Sequence, residues 1–410
     1  MKNAVFLPPK NTLTSKLSTQ KKNRSAGRIW LSALPCLLLT PIGLLLTYLS
    51  TINAALTEKL WSSSVYPIIA QVVTAVTGLF PFSVAEAIIV FGGISLIISV
   101  IVFIVKLVRC KNQPALESTD GDETPAPSVR TARLRLCSRY FSVLLSIVSV
   151  GYFMFVLMGG INYNRLTFSH YSGLEVRKSS VEELTALCTY LAETTNELRQ
   201  HVTEDENGVF VLSQDIHSTA DLAVDAFSGL YPRYPIFEGR YSTPKPVFFS
   251  RAMSYADIAG IFIPMTSESN INVDMPDYHI PFTMCHEQTH LRGFMREDEA
   301  NFIAYLACRT SGSIDFKYSG HLAALTRAMN ALYGVDYDAF VEIYYTYCDG
   351  ILRDYAANSE YWKQFEGPIA ETSNKINDTY LKANNQSDGI RSYGRMLDLL
   401  LAEYRQNIAQ

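Results

Sequence analysis

Charge is in short supply in this sequence. Asp, Glu, Lys and Arg make up 18% of 410 residues and leave a formal net charge of −4. No Lys/Arg stripe runs through the second half, which excludes the dense basic face that a nucleic-acid partner requires. Cysteine is sparse too: seven stand at positions 36, 110, 137, 188, 285, 308 and 348, with no pair at the C-x-x-C spacing of a zinc knuckle or redox couple. Cys188, Cys308 and Cys348 sit among apolar helical residues and read as small buried hydrophobes. No internal repeat and no signal for an oligomeric state is evident.

What the chain has instead is apolar length. Hydrophobic residues make up 48% of it and concentrate in the first 161 positions. Three stretches, 29–49, 84–108 and 140–161, have no charge in their interiors and reach the roughly 20 helical residues that cross a bilayer. Pro35 and Pro41 fall in the first, where a kink is tolerated. Its long polar lead fits an uncleaved anchor better than a signal peptide. Lys10, Lys16, Lys21, Lys22, Arg24 and Arg28 precede the first stretch; Lys106 at the end of the second and Arg109, Lys111, Arg130, Arg133, Arg135 and Arg139 beyond it gather before the third. Cations collect on the cytoplasmic side, so the N-terminus is expected inside and everything after about Asn162 outside. The lipid bilayer is thus the first expected partner. Between the first two stretches, Trp61, Val65, Ile68, Ile69, Val72, Val76, Leu79 and Phe80 recur at helical spacing, and this segment is expected along the membrane face or under the following domain. Residues 116–128, rich in acid, Pro and Ser, read as a flexible loop.

Two domains are therefore expected, a membrane anchor over 1–161 and an extracytoplasmic domain over 162–410. In the second, Ser179 or Ser180 caps a helix from Val181 to about His201. Two short β-type runs follow at 246–250 and 258–264, with 265–272 continuing the second toward a cleft. Helices are expected over 297–309, 322–332, 338–357 and 392–406. A few strands followed by many helices describe an α+β domain.

The chemistry lies in His286-Glu-Gln-Thr-His290. Two histidines four apart on a helix project from one face and can share one Zn²⁺. Glu287 projects beside them, where it can take a proton from a water that zinc has acidified. Gly293 provides a turn that ends the helix and returns the chain. Glu297, Asp298 and Glu299 then open a new helix, where acids are favoured.

The motif and its surroundings resemble the gluzincins, zinc metallopeptidases with two His and one Glu ligand. Glu297, Ala300 and Asn301 match their E-x-x-A-D pattern except that Asn stands for Asp. The resemblance implies that Glu297 is the third zinc ligand and that Asn301 orients a ligand histidine; Glu299 stays open as the alternative ligand. Arg296 stands where metzincins have a third histidine, so that ligation is set aside. A wider resemblance covers nearly the whole chain. Gly78-Leu-Phe-Pro-Phe-Ser83, Pro264-Met-Thr-Ser-Glu-Ser-Asn270, the segment 285–302 and Asp388-Gly-Ile-Arg-Ser-Tyr393 are similar to an uncharacterised bacterial membrane-protein family, a domain of unknown function with a zinc-peptidase signature. It implies an α+β architecture of three transmembrane helices followed by a mainly helical, zincin-like domain with a small β-sheet.

Glu268 and Asn270 are candidates for substrate contacts in the cleft, against the plainer reading of loop-capping groups. Tyr380, Arg391 and Tyr393 are candidates for stabilising a tetrahedral oxyanion, against core packing. The leading functional expectation is a zinc endopeptidase acting on an extracytoplasmic peptide or protein. The alternatives are a zinc amidohydrolase acting on a cell-envelope amide, and a non-enzymatic scaffold or sensor with a residual zinc site; an intact Glu287 argues against the last.

Overall fold

The computed structural model describes residues 26–110, 128–384, 386 and 396–407. Arg391, Tyr393 and nearly all of the acidic loop 116–128 lie outside them. The first apolar stretch forms α1 (Ala26–Leu37) and α2 (Leu39–Ile52), interrupted where Pro41 has no N–H to give the Leu37 carbonyl. A second helical run comprises α3 (Ala54–Thr57), a π-turn over Glu58–Ser62 and α4 (Val65–Thr77). Then come α5 (Val84–Arg109) and α6 (Val129–Met158).

By length and composition four helical segments can cross a membrane, Ala26–Ile52, Ala54–Thr77, Val84–Arg109 and Val129–Met158, where the sequence was read as having three. The additional one is the segment expected under the globular domain, and it qualifies because Glu58 and Lys59 are its only charges. It is bonded to the globular part along its length. Glu58 pairs with Arg165 at 2.7 Å, Ser62 donates to Asn162 at 2.8 Å, the Tyr66 hydroxyl donates to the Leu291 carbonyl at 3.1 Å, and Thr77 donates to the Thr266 carbonyl at 3.0 Å.

The rest is mainly helical: α7 (Phe168–Ser172), α8 (Val181–Arg199), α9 (Ile216–Asp225), α10 (Ser250–Tyr255), α11 (Ile280–Leu291), α12 (Glu297–Thr310), α13 (Ile314–Val335), α14 (Tyr337–Tyr344), α15 (Asp349–Lys363), α16 (Pro368–Ala383) and α17 (Met396–Asn407). Ser180 and Glu183 close a capping box on α8. The sheet has three strands in the order β1 (Lys245–Pro246), β3 (Glu268–Ile271), β2 (Gly260–Ile263); β1 is parallel and β2 antiparallel to β3, with Ile261 opposite Asn270. The run 246–250 thus yields only the end of a two-residue strand before α10 begins, and the polar segment expected to border a cleft supplies the central strand.

α11 runs through the middle of the core between β3, α12 and α13. Eleven of its twelve residues are buried, so a histidine or carboxylate on it must find a partner inside the protein. None of the seven cysteines is paired in a disulfide.

Candidate metal centre

A Schellman turn ends α11. Gly293 takes φ +88°, its N–H bonds to the His290 carbonyl at 2.8 Å, and the Phe294 N–H reaches the Thr289 carbonyl at 3.3 Å. A Cβ on Gly293 would meet the Tyr66 ring at 2.8 Å, so both the backbone conformation and the space require glycine. The reversal has two effects. It brings Glu297, the first residue of α12, back against the histidines, and it aims the Phe294 carbonyl at His290 Nδ1, 2.8 Å away, turning Nε2 inward.

The Nε2 atoms of His286 and His290 come within 3.1 Å of each other. One Glu297 oxygen lies 3.2 Å from His286 Nε2 and the other 3.6 Å from His290 Nε2. Metal–ligand bonds of 2.0–2.1 Å at tetrahedral angles separate the donors by roughly 3.3 Å, so these three groups fit one small cation. They are the one His/Cys/Asp/Glu cluster among the described residues with ligand atoms this close together. His286 Nδ1 and Glu287 Oε2 are buried and have no hydrogen-bond partner.

At His290 and Glu297 the electrostatics favours the same reading, whereas His286 is shifted the other way by Glu297. Burial pushes the His290 imidazole down to about 4, keeping it neutral. Burial also pulls His286 down, but the hydrogen bond and charge of Glu297 outweigh that and raise it. For Glu297, burial is outweighed by His290, His286 and Arg327, which hold the carboxyl below its ordinary range. Neutral imidazole and ionised carboxylate are the forms that bind a metal. Glu287 differs: burial, reinforced by the charge of Glu297, pushes it up to about 8 despite His286 and the Phe262 backbone. It lies against β2 so closely that a Cβ on Gly260 would sit 2.7 Å from Glu287 Oε1.

The other sequence candidates scatter. Glu299 faces away from the cluster, accepting the Phe168 N–H at 2.8 Å and pairing with Arg296 at 3.1 Å, so it is no alternative ligand. Asn301 does not orient an imidazole: one turn along α12 from Glu297, it donates to the Glu297 carbonyl at 2.6 Å and accepts from Arg327 at 2.9 Å. Glu268 and Asn270 are not cleft groups. The Glu268 carboxylate accepts the Val84 and Ala85 N–H groups at 3.1 and 2.8 Å, capping α5, and Asn270 accepts from Ser83 at 2.6 Å. Tyr380 does lie beside the site. Its hydroxyl is 3.0 Å from that of Tyr163, and burial, with the nearby Glu297 charge, raises its pKa while the bond to Tyr163 opposes the rise.

Sequence reasoning missed Tyr163, Arg327 and Gln386, whose side-chain oxygen accepts the Glu297 N–H at 3.2 Å. None had a local signal; only the arginine's placement one α-helix away from the ligands makes it part of the site. No curated protein and no solved structure matches the chain. The family described as "Protein of unknown function (DUF3810)" matches residues 61–401. The chain, matched over most of its length, belongs to the DUF3810 family.

Proposed function

We propose that this chain is a membrane-anchored zinc metallopeptidase of the gluzincin kind, hydrolysing a peptide bond outside the cytoplasm. The observation that carries the reading is the convergence of His286 Nε2, His290 Nε2 and the Glu297 carboxylate around one point, with the unpaired carboxylate oxygen of Glu287 beside it. Zinc held there would supply Lewis acidity toward a carbonyl and lower the pKa of a water from 15.7 to near 7. Glu287 takes the proton from the attacking water and returns it to the departing amine. Tyr380, hydrogen-bonded to Tyr163 and within the electrostatic reach of Glu297, is a candidate donor for a developing oxyanion.

Peptide is favoured over other amides by β2. It is an edge strand with no strand neighbour on its outer side among the described residues, and it runs past Glu287. An extended peptide can pair with such an edge.

The topology follows from charge and from the bonds of the Ala54–Thr77 segment. Of the four candidate segments, we propose that Ala54–Thr77, bonded to the globular part from Glu58 to Thr77, lies along the membrane face and that the other three cross. With three crossings, Lys106 to Arg139 and the N-terminal cations share the inner side. A reporter fused after Ile161 is expected to behave as extracytoplasmic and one near Gly121 as cytoplasmic; the reverse pattern refutes the topology.

The test of the activity is metal content with cleavage of a diverse peptide library by the purified full chain. One zinc per chain and cleavage abolished by chelation, then restored by zinc, is the expected result. Among ligand variants, Glu297→Gln is expected to weaken zinc by more than the roughly 10–100-fold of outer-shell losses. Glu299→Gln should leave zinc affinity nearly unchanged, and a large loss there with none at Glu297 would exchange the two roles.

A further inference from the structure

The height of the site above the lipid can be read from α6. Its first turns carry Arg130, Arg133, Arg135 and Arg139, so its apolar part runs from Tyr140 to Met158. That is about 28 Å at 1.5 Å per residue, close to the roughly 30 Å of a hydrocarbon core. Met158 therefore ends at the lipid surface. It packs in one buried cluster with Leu291, the residue after His290, and with Phe262 of β2. Phe155, one turn back along α6, meets the Tyr380 ring at 6.0 Å. Roughly one helix-packing distance, about 10 Å, thus separates the ligand residues from the level at which α6 leaves the lipid.

The surroundings agree with that height. α5 enters the bilayer at Val84, where Glu268 caps it, and Glu86 in its first turn accepts the N–H groups of Phe248 and Phe249 at 3.0 and 2.8 Å. Phe248 is 85% exposed at this level, with Leu79 and Phe82 also exposed. Exposed Phe and Leu side chains gathered around the entry of a span fit burial at the boundary of headgroups and acyl chains. On α16, Ile369, Ile376 and Tyr380 share one exposed face, and Tyr380 is the end that touches α6.

The edge strand starts from the same level. Pro264, just after β2, abuts Gly159 at the end of α6, with a Cβ on Gly159 only 3.1 Å from the proline ring. Gly260, against Glu287, is four residues further, about 13 Å at 3.3 Å per residue. A chain emerging from the lipid beside α6 and lying along β2 would bring its peptide bonds to Glu287 within a few residues.

We infer that the substrate is a polypeptide anchored in the same bilayer and cut in the extended stretch just outside the lipid, not a freely diffusing peptide. The inference rests on the peptidase reading. The full-length protein in phosphatidylcholine–phosphatidylglycerol liposomes is given a fluorescence-quenched peptide library, either soluble or palmitoylated at one end. In the lipidated form, Gly/Ser spacers of about 6 or about 24 residues separate the anchor from the library. A fourfold longer tether dilutes the peptide only about twofold, because its reach grows as the square root of length. The expected result is cleavage more than tenfold faster with the short spacer than the long, and slower still for the soluble pool. Equal rates for soluble and anchored peptides, or faster cleavage with the long spacer, overturn the inference and leave a peptidase. No cleavage of any form by zinc-loaded protein overturns both.

Discussion

Glu287→Gln is expected to keep its zinc and lose about 10²–10⁴-fold in peptide cleavage, the usual worth of a positioned acid–base group. The amide keeps the shape of the side chain and its place against Gly260, but cannot accept a proton. Its carboxylate is not one of the three converging ligand groups, so metal content should stay at the wild-type level. His286→Ala or His290→Ala should lose both zinc and cleavage, because two protein ligands leave a catalytic zinc site without its closing donor. Metal analysis and kinetics on these three purified variants and on the double histidine variant check this together. Undiminished cleavage by Glu287→Gln removes its assigned role, and full zinc occupancy in the double histidine variant removes the site.

The second large effect is expected away from the ligands. The Arg165 guanidinium donates to both Glu58 oxygens, at 3.0 and 2.7 Å, and lies 3.9 Å over the Phe294 ring; its side chain is 1% exposed. Removing one partner of such a buried pair typically costs about 3–5 kcal/mol, because the other charge is left buried and alone. Arg165→Met should therefore unfold well below the wild type in the same detergent. It should also weaken zinc, because the Phe294 that it covers supplies the carbonyl to His290. Pairing it with Glu58→Met should recover part of the stability, since a buried ion pair exchanged whole for apolar side chains is often neutral. An Arg165→Met protein as stable as wild type would show that the pair holds nothing together.

The sequence made legible whatever depends on near neighbours. Positions 286 and 290 share a helix face by periodicity alone, Gly293 announces a left-handed cap, and Glu297 follows as the first residue after the turn. Ser180 and Glu183 announced α8 in the same local way. What escaped reading is set by distant partners. The segment 338–357 looked like one helix, but the chain breaks at Tyr345 to Cys348, where Asn196 of α8 takes the Cys348 N–H and donates to the Thr346 carbonyl. Glu268-Ser-Asn-Ile271 has too little β character to read as a strand, yet it is central because two strands flank it and Asn270 bonds across to Ile261. The roles of Glu268 and Asn270 were misread for the same reason: their partners at Ser83, Val84 and Ala85 lie more than 180 positions away.

The Glu268 cap has a practical consequence for anyone wishing to obtain the globular part by itself. A truncated chain beginning at residue 162 would take from Glu268 the two α5 N–H groups that it caps, leaving it only the nearby Lys245 charge, and would leave Arg165 without Glu58 and the pocket around Gly293 and Leu291 emptied of the Tyr66 ring. Losing these bonds together with the Tyr66 packing is a large loss for a marginally stable domain. The globular part and the helices bonded to it are expected to fold together, and fragments should be sought only with residues 54–86 retained.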